Sequence, residues 1–222
     1  MDKKNNFMAK IIPFEEFTEQ YEDWFIKNKT VYQSELLAIK KLLPKGKNGI
    51  EIGVGTGQFG APLGIKIGIE PSRKMGKIAQ QRGIKVIEAV AEDIPIANES
   101  FDFALMVTTI CFLDDIRSAF KEVYRVLKKE GSFIIGFIDK DTPLGKLYKE
   151  GKSKSNFYKI ATFYSVDTVV FHLRQACFED FIFSQTIFSS LEETKEIEDI
   201  KEGYGKGAFV IIKAKKGALE AL

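Results

Sequence analysis

The sequence predicts an α/β fold with a mostly parallel sheet and helices on both faces, and three observations carry that expectation. From about residue 49 to 138, short apolar runs alternate with amphipathic stretches at helical spacing. A glycine-rich turn follows the first of those runs, where open α/β sheets place their ligands. After Phe178 the period becomes 2, as an antiparallel end requires.

The elements follow in order. Phe14, Phe17, Tyr21, Trp24 and Phe25 recur at helical spacing among acidic residues, so the first segment reads as an amphipathic helix. A second helix is expected from about Ser34 to Leu43, stopped by Pro44 and the turn residues 45–49. Strands are expected at about 49–53, 65–69, 84–88, 101–107 and 132–138. Helices between them are clearest at 72–81, with Ser72 as N-cap and Gly83 past the end, and at 114–127, capped by Asp114 or Asp115. Gly131 is expected to close the second of these, just after Lys128 and Lys129. Strand–helix alternation implies right-handed crossovers. The run 181–187 and the run Ala208–Lys213 are expected to pair as an antiparallel hairpin, with the acidic connection 189–206 as an exposed loop. Neither a repeat nor a linker interrupts the chain, so residues 1–222 read as a single domain.

Composition excludes several functions. With 45% hydrophobic residues, 222 residues suffice for one core. A net charge of +2 leaves no electrostatic footprint for nucleic acid or an anionic membrane. No apolar run approaches the roughly 20 residues that cross a bilayer, and the charged start does not read as a signal peptide. Cys111 and Cys177 are too few for a disulfide framework, and with His172 as the single histidine no metal site is expected. The expected compartment is reducing cytoplasm, and the oligomeric state is left open.

The chemistry centres on Gly49–Gly60. Gly53, Gly55 and Gly57 let backbone turn tightly and approach a ligand closely. Residues 55–60 literally spell G-x-G-x-x-G, a dinucleotide fingerprint that is weak by itself. The register starting at Glu51 places a carboxylate before the first glycine, unfavourable to a diphosphate and suited to an ammonium, such as that of the methionyl part of S-adenosylmethionine. Glu70 ends the second strand and suits ribose hydroxyls, which both cofactors carry. Glu92 or Asp93, after the third strand, suits the adenine amino group, with Ile94 against the ring.

Five ordered segments, E-I-G-V-G-T-G (51–57), G-I-E-P-S (68–72), A-E-D-I-P (91–95), S-F-D-F-A-L (100–105) and E-V-Y-R-V-L-K-K-E-G (122–131), resemble the class I S-adenosylmethionine-dependent methyltransferases. The similarity is to the type-11 group, which includes ubiquinone/menaquinone-biosynthesis-like enzymes, and it covers residues 49–138 strongly. It implies a Rossmann-like sheet of seven strands in the order 3-2-1-4-5-7-6, the last strand antiparallel. It also implies an N-terminal helical lid (1–44), through which Tyr21 or Trp24 lines the pocket. Residues 139–165, an insertion at the carboxyl strand ends where loops carry specificity, read as a substrate cap rather than as a packed surface excursion. The cofactor implied is S-adenosyl-L-methionine, and the candidate residues to bind it are Tyr21, Trp24, Glu51, Gly53, Val54, Gly55, Gly57, Glu70, Pro71, Ser72, Ala91, Glu92, Asp93, Ile94, Val107 and Thr108.

The expected activity is methyl transfer to a small-molecule acceptor; the rivals are an NAD-dependent oxidoreductase and a catalytically silent cofactor-binding protein. The segment 107–113 lacks the Asn/Asp-Pro-Pro-aromatic motif of nucleic-acid amino methylation, so nucleic acid is not an expected substrate. Phe112, Tyr148, Phe157 and Tyr158 are the candidate acceptor residues. Lys146, Lys149, Lys152 and Lys154 are expected at the same mouth, favouring an uncharged or anionic acceptor. No catalytic residue announces itself; Asp114, Asp139 and Tyr158 are candidate bases.

Overall fold

The computed structural model describes the backbone of residues 3–218 and the side chains of 10–218. The first two residues of the segment read as carrying no leader lie outside that range. Eight strands form one sheet: β1 (Gly49–Ile52), β2 (Ile67–Ile69), β3 (Lys85–Ile87), β4 (Phe101–Val107), β5 (Leu127–Ile138), β6 (Phe178–Thr186), β7 (Lys201–Glu202) and β8 (Phe209–Lys216). Their order is β3-β2-β1-β4-β5-β8-β6-β7. Strands β1 to β5 pair in parallel, whereas β8 runs antiparallel between β5 and β6. The chain winds outward from β1 to β3, then returns to place β4 on the other side of β1. The switch point therefore lies at the carboxyl ends of β1 and β4.

The expected order holds, with one strand more than the seven predicted. The connection 189–206 is the reason. Rather than an exposed loop, it supplies β7 at the edge, and its Thr194 is buried. The Glu198 carboxylate accepts from the backbone N–H groups of Phe188 and Ser189, closing the loop on itself.

Side-chain alternation along the strands sorts the core into two faces. Ala104 and Met106 of β4, and Phe133 and Ile135 of β5, pack beneath α5 (Ile116–Val126) and α7 (Val166–Gln175). Phe103, Leu105 and Val107, with Ile134, face the opposite way toward α2 (Thr18–Lys27) and α3 (Lys29–Leu42). α4 (Arg73–Gln81) begins as expected at Ser72, whose hydroxyl accepts from the Met75 N–H at 3.2 Å.

Three expectations are corrected. The aromatic N-terminal stretch is two helices, α1 (Lys3–Glu16) and α2, because the chain leaves helical geometry at Phe17 (φ −113°, ψ 29°). α3 begins five residues before Ser34. α5 ends at Val126, so Gly131 caps nothing: Leu127 is extended (ψ 138°) and fully buried, and strand β5 starts there. Burying Leu127 wins over continuing the helix through Lys128 and Lys129, and the ladder to β4 shifts register between Phe101 and Phe103. The insertion holds α6 (Pro143–Glu150), capped by Thr142, and two short 3₁₀ turns, 151–154 and 158–160.

Candidate active site

The carboxyl ends of β1, β2 and β4 open into a cavity of about 780 Å³. Gly53 and Gly55 form its floor. Gly55 sits at φ +55°, and a Cβ there would stand 3.2 Å from the Tyr21 hydroxyl. Between residues 53 and 64 the chain runs in turns and no α-helix forms. The helix N-terminus that a pyrophosphate uses is therefore missing behind the literal G-x-G-x-x-G.

Glu70 leaves the end of β2 on the cavity wall. Its two carboxylate oxygens accept from the backbone N–H groups of Gly55 (2.8 Å) and Ser72 (2.9 Å). Burial pushes it up to about 7 against those two hydrogen bonds. On the far wall, Glu92 accepts from the N–H groups of Asp114 (2.8 Å) and Asp115 (3.2 Å), so both acidic groups are oriented by backbone. Pro71, Ala91, Val107 and Thr108 complete the set of predicted residues on this wall. Thr108 holds φ +51°, a strained conformation for a β-branched residue, where β4 gives way to the loop.

Other predicted residues lie elsewhere. Glu51 is 1% exposed beneath the turn: the Gly60 N–H donates to it, its Oε2 has no protein partner, and a Cβ on Gly60 would stand 2.3 Å from that atom. Burial pushes its carboxyl well above the usual range. Val54 packs with Ala79 and Ile84, Ser72 caps α4, and Ile94 joins the main core. Gly57 and Asp93 do not line the cavity; of the two acids after β3, Glu92 does, and Asp93 is exposed.

The N-terminal helices cover the mouth. Lys10, Ile11 and Phe14 of α1 line the cavity, with Lys10 paired to Asp114 at 2.8 Å. Glu15 accepts from the Ser72 hydroxyl at 2.7 Å, and Glu22 of α2 pairs with Arg82. Arg82 in turn donates to the Thr56 carbonyl at 2.6 Å, tying α2 to the glycine turn.

Beside the first cavity lies a second, of about 1070 Å³. The two share Phe14, Tyr21, Thr108 and Phe112. All four predicted acceptor residues, Phe112, Tyr148, Phe157 and Tyr158, border the second cavity, as does Trp24, which lies away from the first. Aromatic contacts bind lid to insertion: Phe14 lies 5.4 Å from Phe157 and 4.9 Å from Phe112, ring centre to ring centre. The lysines 146, 149, 152 and 154 line neither cavity, and Lys152 donates instead to the Ala161 carbonyl. The motive for an anionic acceptor is thereby removed.

Of the candidate bases, Asp114 borders the first cavity, Tyr158 the second and Asp139 neither. Sequence reasoning missed Glu35, a 5% exposed carboxyl on the second cavity, which burial pushes up to about 8. The signal was present: Val31, Glu35, Ala38 and Ile39 share one helical face, and an acid on an apolar stripe is out of place. Among the described residues no helix is long and apolar enough to cross a membrane, and no group of acidic, His and Cys side chains has the arrangement of a metal site.

Comparison with known proteins agrees with this architecture. The family model described as Methyltransferase domain, the type-11 model, matches residues 50–135. A crystal structure from Thermotoga maritima superposes with a TM-score of 0.90 at 51% identity, covering 92% of this chain and 98% of that one. It is described as an S-adenosylmethionine-dependent methyltransferase, possibly a histamine N-methyltransferase. An uncharacterized protein of Methanocaldococcus jannaschii is 47% identical over 91% of this chain and 98% of its own length. The ubiquinone/menaquinone biosynthesis C-methyltransferase of Rickettsia prowazekii is 36% identical over 40% of this chain and 32% of its own. The glycine turn, the acids on the strand ends and these relatives converge: the chain belongs to the S-adenosylmethionine-dependent methyltransferases.

Proposed function

We propose that the first cavity holds S-adenosylmethionine and that the second holds a small-molecule acceptor, which receives the methyl group where the two cavities meet. The observation that carries this reading is that Phe14, Tyr21, Thr108 and Phe112 line both cavities, so that a chamber of backbone and acids adjoins one rich in aromatic rings. The cofactor supplies a methyl group on a positively charged sulfur. Gly53 and Gly55 give its amino-acid end close backbone approach, Glu70 accepts from the ribose hydroxyls, and Glu92 faces the base beside Ala91 and Val90. The buried Glu51, with one unpartnered oxygen, lies under the turn and adds negative potential there.

Methyl transfer to a neutral acceptor builds little new charge, so alignment and exclusion of water supply most of the acceleration. The rings of Phe14, Tyr21, Phe112 and Phe157 do this by closing the passage between lid and insertion. Residues 139–165 act as the acceptor's cap. With both cysteines unpaired, the protein works in the cytoplasm.

The test is calorimetry with S-adenosylhomocysteine. One site per chain is expected, and Glu70→Ala is expected to weaken it by about 1.5–3 kcal/mol, the range for hydrogen bonds to a charged group. No heat at millimolar ligand from a folded chain would end the reading. Heat with NAD in its place would redirect it to an oxidoreductase.

A further inference from the structure

Of the four residues that line both cavities, Phe14 and Phe112 end in bare rings, whereas Tyr21 and Thr108 each carry a hydroxyl. Among the described residues neither hydroxyl has a protein hydrogen-bond partner. The next hydroxyl along the chain gives the contrast. Thr109 lines the first cavity alone and donates to the carbonyls of Val107 (3.0 Å) and Gly53 (3.3 Å), so its hydroxyl is consumed by the fold.

Tyr21 and Thr108 are held in place by other parts of themselves. The Tyr21 ring packs edge-on against Phe25 (5.1 Å), Phe157 (6.1 Å) and Phe14 (6.5 Å), ring centre to ring centre. Its hydroxyl is thereby set 3.2 Å from the point where a Cβ on Gly55 would stand. Thr108 is fixed through its backbone: its N–H donates to the Gly136 carbonyl at 2.8 Å, and its carbonyl accepts from the Cys111 thiol at 3.1 Å. Those bonds keep it at φ +51°, a conformation costly to a β-branched residue. Burial, and then the fields of Glu51, Glu70 and Glu22, push the Tyr21 phenol upward, so it stays neutral. The cations nearby are already paired, Lys10 with Asp114 and Arg82 with Glu22.

We propose that the hydroxyl oxygens of Tyr21 and Thr108 form a collar where the cavities meet, each turning a lone pair toward the methyl group of the bound cofactor. The proposal rests on the reading of the first cavity as the site of S-adenosylmethionine. A methyl group on a cationic sulfur carries part of the positive charge on its three hydrogens, and oxygen lone pairs attract them more strongly where water is excluded. During an in-line displacement the three C–H bonds spread into a plane across the line of attack. Oxygens at the side of that line therefore keep their hold while the carbon moves. The hydroxyls lose no proton and form no bond, and the electron pair of the broken carbon–sulfur bond stays on sulfur. Their role is to orient the methyl group, separate from that of Glu70 and Glu92.

The experiment compares S-adenosylmethionine with S-adenosylhomocysteine, which lacks both the methyl group and the charge, by calorimetry on the full chain. Tyr21→Phe keeps the ring, and with it any attraction of a cation to the aromatic face, and removes only the oxygen. It is expected to weaken S-adenosylmethionine about 3–10-fold and S-adenosylhomocysteine less than about twofold. Thr108→Val is expected to act in the same direction, and Thr108→Ser, which keeps the hydroxyl, to retain the parent's ratio of affinities. Circular dichroism checks the folding of each variant. A magnetic-resonance readout separates an oxygen from a shape. With S-adenosylmethionine isotopically labelled in its methyl group, the bound methyl proton signal is expected to move upfield from the parent to Tyr21→Phe, because a facing lone pair draws it downfield. If Tyr21→Phe weakens both ligands equally or neither, or if the methyl signal stays where it was, the collar is overturned, while binding of S-adenosylhomocysteine to the parent leaves the cofactor reading standing. A folded parent that binds neither ligand would overturn both.

Discussion

The two cavities differ in what makes them. The first cavity, proposed above for the cofactor, is built on the ends of neighbouring strands, and its acids are already answered: Glu70 by the N–H groups of Gly55 and Ser72, Glu92 by those of Asp114 and Asp115, and Asp114 by Lys10. The second cavity, proposed above for the acceptor, is lined by side chains of α1, α2, α3 and the insertion together with Phe59, Thr108, Phe112 and Ile138, and its one acid, Glu35, has no protein hydrogen-bond partner among the described residues. Backbone donors make the first cavity the more rigid mould of the two. Side chains make the second a surface that a few substitutions would reshape.

The sharpest way to break this contrast is to put a side chain into the mould. Gly55 holds φ +55°, which a β-branched residue rarely adopts, and its Cβ position lies 3.2 Å from the Tyr21 hydroxyl. Gly55→Val is expected to reduce S-adenosylhomocysteine affinity more than about a hundredfold, with far-ultraviolet circular dichroism unchanged. Retained affinity would mean that the turn does not touch the ligand.

The same contrast explains what was legible. Strand–helix alternation, the Ser72 cap and the glycine turn are local patterns, and the strand order followed from the resemblance they support. The start of β5 was not legible because the burial of Leu127 is a tertiary matter that overrides a lysine-rich helix end. Glu51 reads as a ligand contact in sequence, yet the turn folds over it, since nothing local tells whether a strand residue points into a cavity or beneath it. Phe112, Tyr148, Phe157 and Tyr158, named by position after strands four and five, come together on the second cavity. Glu35 was hidden in a segment read as part of a lid, and the four insertion lysines misled because charge near a loop says nothing about its inner face.

A second experiment sharpens the contrast through stability. Glu35 has a folded-state value of about 8 against an ordinary 4.5. Below about 4.5 the group is protonated folded or unfolded and costs nothing. As pH rises from there the unfolded chain loses the proton first, so stability falls, and the loss is complete above about 8. Glu35→Gln does not titrate. Its melting temperature relative to the parent is expected to rise by at least about 3 °C between pH 5 and pH 8.5. A constant difference across that range would show that Glu35 already has a partner.

Next in size are the rings of the cap. Tyr148 and Phe157 border only the second cavity, so Tyr148→Ala and Phe157→Ala are expected to lower turnover about tenfold once an acceptor is in hand. S-adenosylhomocysteine affinity, measured on the same samples, is expected to stay within about twofold. Loss of cofactor affinity instead would mean that the insertion closes over the nucleotide.

The smallest expected effect lies where the lid meets the mould. Lys10 of α1 donates to the Leu113 carbonyl at 2.5 Å and pairs with Asp114 at 2.8 Å, across the mouth of the cofactor cavity. The two side chains are 27% and 29% exposed, so water and salt screen the pair, and its share is about 0.3–1 kcal/mol. Lys10→Met keeps the apolar stem against Phe14 and Ile11 while removing the charge. S-adenosylhomocysteine is expected to dissociate about two- to fivefold faster from this variant, because only the clasp is weakened and Glu15 and Glu22 still tether the lid. Added salt supplies the control. Raising ionic strength from about 0.05 to 0.5 M shortens the screening length from roughly 14 to 4 Å and weakens the same pair in the parent. The parent's dissociation rate is expected to climb toward that of Lys10→Met, while the variant's own rate moves little. Equal salt responses in the two chains would place the lid's hold on the cofactor in its packing alone, and the clasp would then be a surface ion pair without function.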